Sequence, residues 1–139
     1  MTGSDGRGPE TILVVEDATH VRKLVQKILE EAGFEVLTAA DGSEALRIAE
    51  DYPRKIHLLL SDVIMPEISG PELAKQLKAL RPEMKVILMS GYAHGMIVLN
   101  YGWYFIQKPF IPVALVGRVK DVLNTDVPDR GTDHFDTRL

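Results

Sequence analysis

The sequence predicts a three-layer α/β domain, a five-stranded parallel sheet held between helices. Three observations carry that reading. Short apolar runs alternate along the chain with segments of helical period, and the runs are apolar throughout rather than at every second residue. Strands without alternation are buried on both faces, as a parallel sheet covered by crossover helices requires. Right-handed crossovers then give a doubly wound arrangement. The 139 residues, 45% hydrophobic and 26% charged, have the size and composition of one globular domain.

Each element has its own signal. Ile12 to Val15 is a largely β-branched first strand that stops at Glu16-Asp17. Val21, Leu24, Val25, Ile28, Leu29 and Ala32 then follow the stripe of one helix face, and Gly33 suits the residue just past its end. Phe34 to Ala39 reads as the second strand. Asp41 and Glu44 have the spacing of a capping box for a helix carrying Ala45, Leu46, Ile48 and Ala49, with Pro53 just beyond. Leu58-Leu59-Leu60 forms the third strand and ends at Ser61-Asp62. Pro71 fits the first position of a helix with Leu73, Leu77 and Leu80 on one face, closed by Arg81-Pro82. Val86 to Met89 is the fourth strand, stopping at Ser90-Gly91, and Trp103 to Gln107 the fifth. Pro112 opens a last helix bearing Leu115, Val116, Val119 and Leu123.

Residues 1–10, with three glycines and a proline, read as a flexible linker, and residues 125–139, with four aspartates, as a solvated acidic tail. The domain is therefore expected at 11–124. Twenty acidic against sixteen basic side chains give a net charge of −4, which would repel a phosphate backbone and speaks against direct nucleic-acid binding. The absence of cysteine removes disulfides and thiolate metal sites. No apolar run approaches the roughly 20 residues of a membrane span, and no signal-peptide pattern is present. A cytoplasmic location is expected.

In a doubly wound sheet, sites form outside the carboxyl ends of the strands. Here those ends carry Glu16-Asp17, Asp62, Ser90-Gly91 and Lys108-Pro109. Taken singly, a carboxylate at a strand end is more often a helix cap and a lysine more often a surface group; joint placement at four strand ends favours a site. Converging carboxylates repel one another unless a cation neutralises them, and a donor set made only of oxygen suits Mg²⁺. A lysine and a hydroxyl suit a phosphoryl group, and an aspartate among them can act as a nucleophile that forms an acyl phosphate.

These stretches, Ile12-Leu13-Val14-Val15-Glu16-Asp17, then Asp62 to Gly70, then Met89-Ser90-Gly91, then Gln107-Lys108-Pro109-Phe110, resemble the receiver domain of two-component phosphorelay systems, the CheY-like response regulators. They occur in the family's order and span nearly all of 11–124. The resemblance implies a flavodoxin-like sheet with strand order 2-1-3-4-5. It implies Asp62 as phosphoacceptor, and Mg²⁺ held by Glu16, Asp17, Asp62 and the backbone carbonyl of Ile64. Ser90 and Lys108 would meet the phosphoryl group, with Ser90 and Phe105 as the switch pair. Pro109 would shape the following turn, and Met65-Pro66 and Gly70 the loop after the third strand. Ile64 and Tyr92 would border the water that attacks the acyl phosphate; neither acts as acid or base, so slow self-dephosphorylation is expected. The implied partner is a histidine kinase or phosphotransfer domain, and the chain would be a stand-alone regulator or the receiver of a hybrid histidine kinase. Gly8 to Leu13 and Ser69 to Ala74 resemble the terminal receivers of such kinases.

The sequence also departs from the family. The stretch from Ser90 to Lys108 is about four residues short, roughly one helical turn, so the fourth helix is expected to be short, irregular or absent. Ile111 stands where relatives often place a capping side chain. Met96, Ile97, Tyr101, Trp103 and Ile111 either form an exposed apolar patch for a homodimer or effector on the fourth-helix, fifth-strand and fifth-helix face, or pack inward over the core. Arg22-Lys23, Lys27 and Glu30-Glu31 read as a solvated helix face. His20, His57, His94 and His134 lack metal-ligand spacing. An aspartate-nucleophile phosphohydrolase would carry a second aspartate two residues after Asp62, where this chain has Ile64. A degenerate receiver that binds partners without phosphorylation is the remaining alternative.

Overall fold

The computed structural model describes residues 8–91 and 103–125. Five runs pair into one sheet: β1 (Thr11–Val15), β2 (Glu35–Ala39), β3 (Leu58–Asp62), β4 (Lys85–Ser90) and β5 (Tyr104–Gln107). All pairings are parallel and the order is β2-β1-β3-β4-β5. Four helices are present among the described residues: α1 (Thr19–Glu31), α2 (Gly42–Asp51), α3 (Gly70–Leu80) and α4 (Pro112–Leu123). Fold class and strand order are as expected. The order in which strands are added reverses between β1 and β3, and this switch point places the carboxyl ends of both strands side by side.

The period of two along each strand sorts the core into two layers. Leu13, Val15, Leu59, Val86 and Leu88 pack with Ala45 and Ala49 of α2 and Leu73, Ala74 and Leu77 of α3. Ile12, Val14, Leu58, Leu60, Ile87 and Met89 pack with Val25 and Leu29 of α1 and Leu115, Val119 and Val122 of α4. This two-sided burial is the reason the strands read as continuous apolar runs.

Helix ends follow their local chemistry. Gly33 takes φ 101° just past α1, as its place in the sequence predicts. Asp41 Oδ1 accepts the Glu44 amide at 2.9 Å, while Glu44 Oε1 reaches the Ala40 amide at 2.8 Å, one residue before the cap. Pro71 is the second residue of α3, not the first: Ser69 caps the helix by accepting the Glu72 amide at 3.2 Å. Ile111 makes no side-chain cap for α4, as expected. Arg81 donates to the carbonyls of Ala49, Tyr52 and Arg54, satisfying acceptors at the end of α2 that the helix itself leaves open.

The apolar patch divides. Trp103 is 7% exposed and belongs to the core layer of α2 and α3, so it packs inward and is not part of an exposed face, whereas Ile111 is 62% exposed. Trp103 precedes β5 rather than starting it. The expectations for a fourth helix, for Tyr92, and for Met96, Ile97 and Tyr101 lie outside the described residues, as do those for 1–7 and 126–139.

Candidate functional site

The site grows from the ends of β1 and β3. Glu16 continues the set Ile12, Val14, and Asp62 the set Leu58, Leu60, so both acids emerge on the side of the sheet that carries α1 and α4. The Glu16 amide still donates to the Ala39 carbonyl at 3.1 Å, which extends the pairing with β2 one residue past β1. Carboxylate oxygens of Glu16, Asp17 and Asp62 lie within 4.8 Å of one another. Glu16 is buried, Asp62 half-buried and Asp17 exposed.

Lys108 arrives from the opposite side. Its amide donates to the Ser90 carbonyl at 2.8 Å, which ties the ends of β4 and β5 together, and the Lys108–Pro109 peptide is cis. Its Nζ donates to Glu16 Oε1 at 2.9 Å and stands 3.4 Å from Asp62 Oδ2. The other oxygens are also engaged: Glu16 Oε2 accepts the Ala18 amide at 3.1 Å, and Asp62 Oδ1 accepts the Val63 amide at 3.1 Å.

Electrostatics follow from this packing. Burial pushes the Asp62 carboxyl above its ordinary value, and the Glu16 charge adds to the rise; Lys108 and the Val63 amide oppose it. For Lys108 burial works against the ammonium, but its hydrogen bond to Glu16 and the charges of Asp62 and Glu16 outweigh it and raise the pKa. Asp62 thus presents a carboxylate with one oxygen near the Lys108 ammonium, and it lines a cleft of about 690 Å³. Val21 and Leu24 of α1, Ile64, Ser90 and Pro109 wall that cleft.

Glu16, Asp17, Asp62, Ser90 and Lys108 are therefore brought together, and Ile64, 54% exposed, lines the cleft. Phe105 is placed elsewhere: it pairs with Leu88 in register and packs against the core layer of α2 and α3. Three oxygen donors from two strand ends, close enough to share one ion, fit Mg²⁺ in number and hardness. Sequence reasoning missed the apolar walls supplied by α1. It also missed Arg22, whose Nη1 donates to the Glu16 carbonyl at 2.8 Å; nothing in the sequence separates Arg22 from its exposed neighbour Lys23.

Comparison with known proteins agrees with this geometry. The family profile described as response regulator receiver domain matches residues 12–120. The chain is 37% identical over 124 residues to the sensor kinase CckA of Brucella abortus, an alignment that covers 86% of this chain and 13% of the kinase. It is 35% identical over 118 residues to the response regulator receiver protein CpdR of the same organism, covering 81% of this chain and 95% of CpdR. The crystal structure of the receiver domain of the hybrid histidine kinase CckA superposes with a TM-score of 0.72 at 43% identity, covering 82% of this chain and 99% of that one. Several longer relatives are matched over only part of their length, from 13% to 57%. The apolar strand runs, the carboxyl-end acids, the lysine before a cis proline and the strand order have one common explanation: the chain belongs to the response regulator receiver domains of phosphorelay signalling.

Proposed function

We propose that Asp62 is the phosphoacceptor and that a phosphohistidine of a histidine kinase or phosphotransfer domain is its donor. The observation that carries this is the Asp62 carboxylate lining the cleft, with Lys108 Nζ 3.4 Å from one oxygen and the Glu16 and Asp17 carboxylates beside it. An Asp62 oxygen attacks phosphorus; the O–P bond forms as the N–P bond to the imidazole breaks, and the released nitrogen keeps the electron pair and is protonated. Lys108 neutralises charge on the phosphoryl oxygens by moving off Glu16, and Ser90 donates a hydrogen bond to them. Glu16, Asp17, Asp62 and the Ile64 carbonyl would hold Mg²⁺, which when bound supplies positive charge to the transferring group. Ser90 and Phe105 would relay the change as a shift between two packings.

The donor reaches Asp62 through the cleft, so a partner helix carrying the phosphohistidine would rest on its walls. Leu24 and Ile64 are 56% and 54% exposed at that rim and offer apolar contact. Among the described residues no helix is long and apolar enough to cross a membrane; we place the domain in the cytoplasm, where kinase donors act. Ile64 cannot activate a water, so self-dephosphorylation is slow.

The test is intact mass after acetyl phosphate with Mg²⁺, wild type beside Asp62→Asn. A gain of one phosphoryl group, lost in the variant and without Mg²⁺, is expected, with decay over minutes to hours. No gain from acetyl phosphate or from a cognate kinase would favour the phosphorylation-independent binding module.

A further inference from the structure

We infer that Arg22 is a positioning residue for the metal-binding acids: its side chain fixes the peptide that joins Glu16 to Asp17. The inference rests on the reading of Glu16, Asp17 and Asp62 as a Mg²⁺ site. α1 opens at Ala18 with no side-chain cap and no acidic residue in its first turn. The turn that carries both acids is held by other bonds. The Glu16 amide donates to Ala39, Glu16 Oε2 takes the Ala18 amide, and the Glu16 carbonyl takes Arg22 Nη1 at 2.8 Å. Arg22 grips the turn twice, because its own amide donates to the Ala18 carbonyl at 2.9 Å.

The peptide unit is planar, so orienting the Glu16 carbonyl orients the whole plane between the Cα atoms of Glu16 and Asp17. Rotation of that plane swings Asp17, the exposed member of the cluster, away from oxygens that now lie within 4.8 Å. A guanidinium bond to a carbonyl is charge-assisted and about twice as strong as a neutral one. Arg22 is half-buried while Lys23 beside it is exposed, so the two are not equivalent members of a solvated face. A purely electrostatic role would have the opposite sign: a cation near the acids repels Mg²⁺, and its removal would tighten binding.

Calorimetric titration of the phosphate-free chain with MgCl₂ separates these readings. Arg22→Met is expected to weaken Mg²⁺ binding about tenfold, in the range found for residues that orient metal ligands. Arg22→Lys, which keeps a charged donor, recovers most of that loss, and Lys23→Met leaves the Kd unchanged. Should Arg22→Met fail to fold, Arg22→Gln, with its neutral donor, is expected to weaken binding about fivefold. A Kd for Arg22→Met or Arg22→Gln within twofold of wild type, or tighter, overturns the inference while Asp17→Asn still abolishes binding. If wild type itself binds no Mg²⁺, the site reading fails and this inference with it.

Discussion

The two faces of the sheet begin their helices differently. On one face, α2 and α3 start at Asp41 and Ser69, whose side chains accept the amides of Glu44 and Glu72, and each helix carries a glutamate in its first turn. On the other face, α1 and α4 start at Ala18 and Ile111, with no side-chain cap and no first-turn acid. Both faces bury the residues of the three central strands almost completely, so the difference is not in the core. It lies in the connections. Those on the uncapped face carry Glu16, Asp17 and Lys108, and there a site residue takes on part of the capping work: Glu16 Oε2 holds the Ala18 amide. Local order on the capped face comes from turn residues made for it, and at the start of α1 from a carboxylate of the acidic cluster.

The capped face is not isolated from the site, and the largest expected effect tests that contact. Gly70 opens α3, its amide donates to the Val63 carbonyl at 2.7 Å, and a Cβ there would overlap the Asp62 carbonyl oxygen and press on the Val63 Cα. The obstacles are backbone and cannot swing aside. Gly70→Ala is expected to destabilise by about 3 kcal/mol in urea unfolding, and to weaken Mg²⁺ binding as Asp62 shifts. A loss under about 1 kcal/mol with unchanged Mg²⁺ affinity would show that α3 and the acceptor strand are uncoupled.

Exchanging caps between the faces comes next. Asp41→Ala and Ser69→Ala are each expected to cost about 1 kcal/mol, and Ile111→Asp to gain a similar amount, because a cap bond and a favourable helix-end charge are added where none exist. Ile111 is 62% exposed, so little packing is lost. Thermal unfolding reads all three. No gain from Ile111→Asp would mean that the α4 terminus is already satisfied and that the faces differ less than their caps suggest.

The same contrast explains what was legible in the sequence. On the capped face Asp41 and Glu44 have a recognisable spacing; on the uncapped face the apolar stripe of α1, with Gly33 behind it, marks a helix and its end without marking its start. The strand ends were legible too, because Glu16, Asp17, Asp62, Ser90 and Lys108 each lie within two residues of where an apolar run stops. Pro71 suggests a helix start one residue late, and so hides Ser69 as the cap of α3. Trp103 could be read as patch or core, since an aromatic beside a short strand has no period to place it; only tertiary packing decides that it is buried. Arg22 was read as one of several surface cations. Its role depends on a carbonyl six residues back, and a contact to backbone leaves no signature in side-chain type.

The smallest expected effect is the most informative about the site's electrostatics. Burial and Glu16 raise the Asp62 pKa above the ordinary 3.8, with Lys108 and the Val63 amide offsetting part of the rise. Between 3.8 and the folded value the native protein therefore binds more protons than the unfolded chain, and stability falls as pH rises through that window. Above it the ionised carboxylate is a constant cost. Asp62→Asn, measured in EDTA, is thus expected to melt higher than wild type at neutral pH, and the difference should vanish below pH 3.8, where Asp62 is protonated in both states. Added Mg²⁺ should reverse the order, because only the wild type retains the full ligand set and binding to the native state alone stabilises it. A variant that melts lower than wild type at neutral pH without metal would mean that Lys108 already more than offsets burial. Asp62 would then be part of a satisfied ion pair, not a carboxylate held at a cost until a cation arrives.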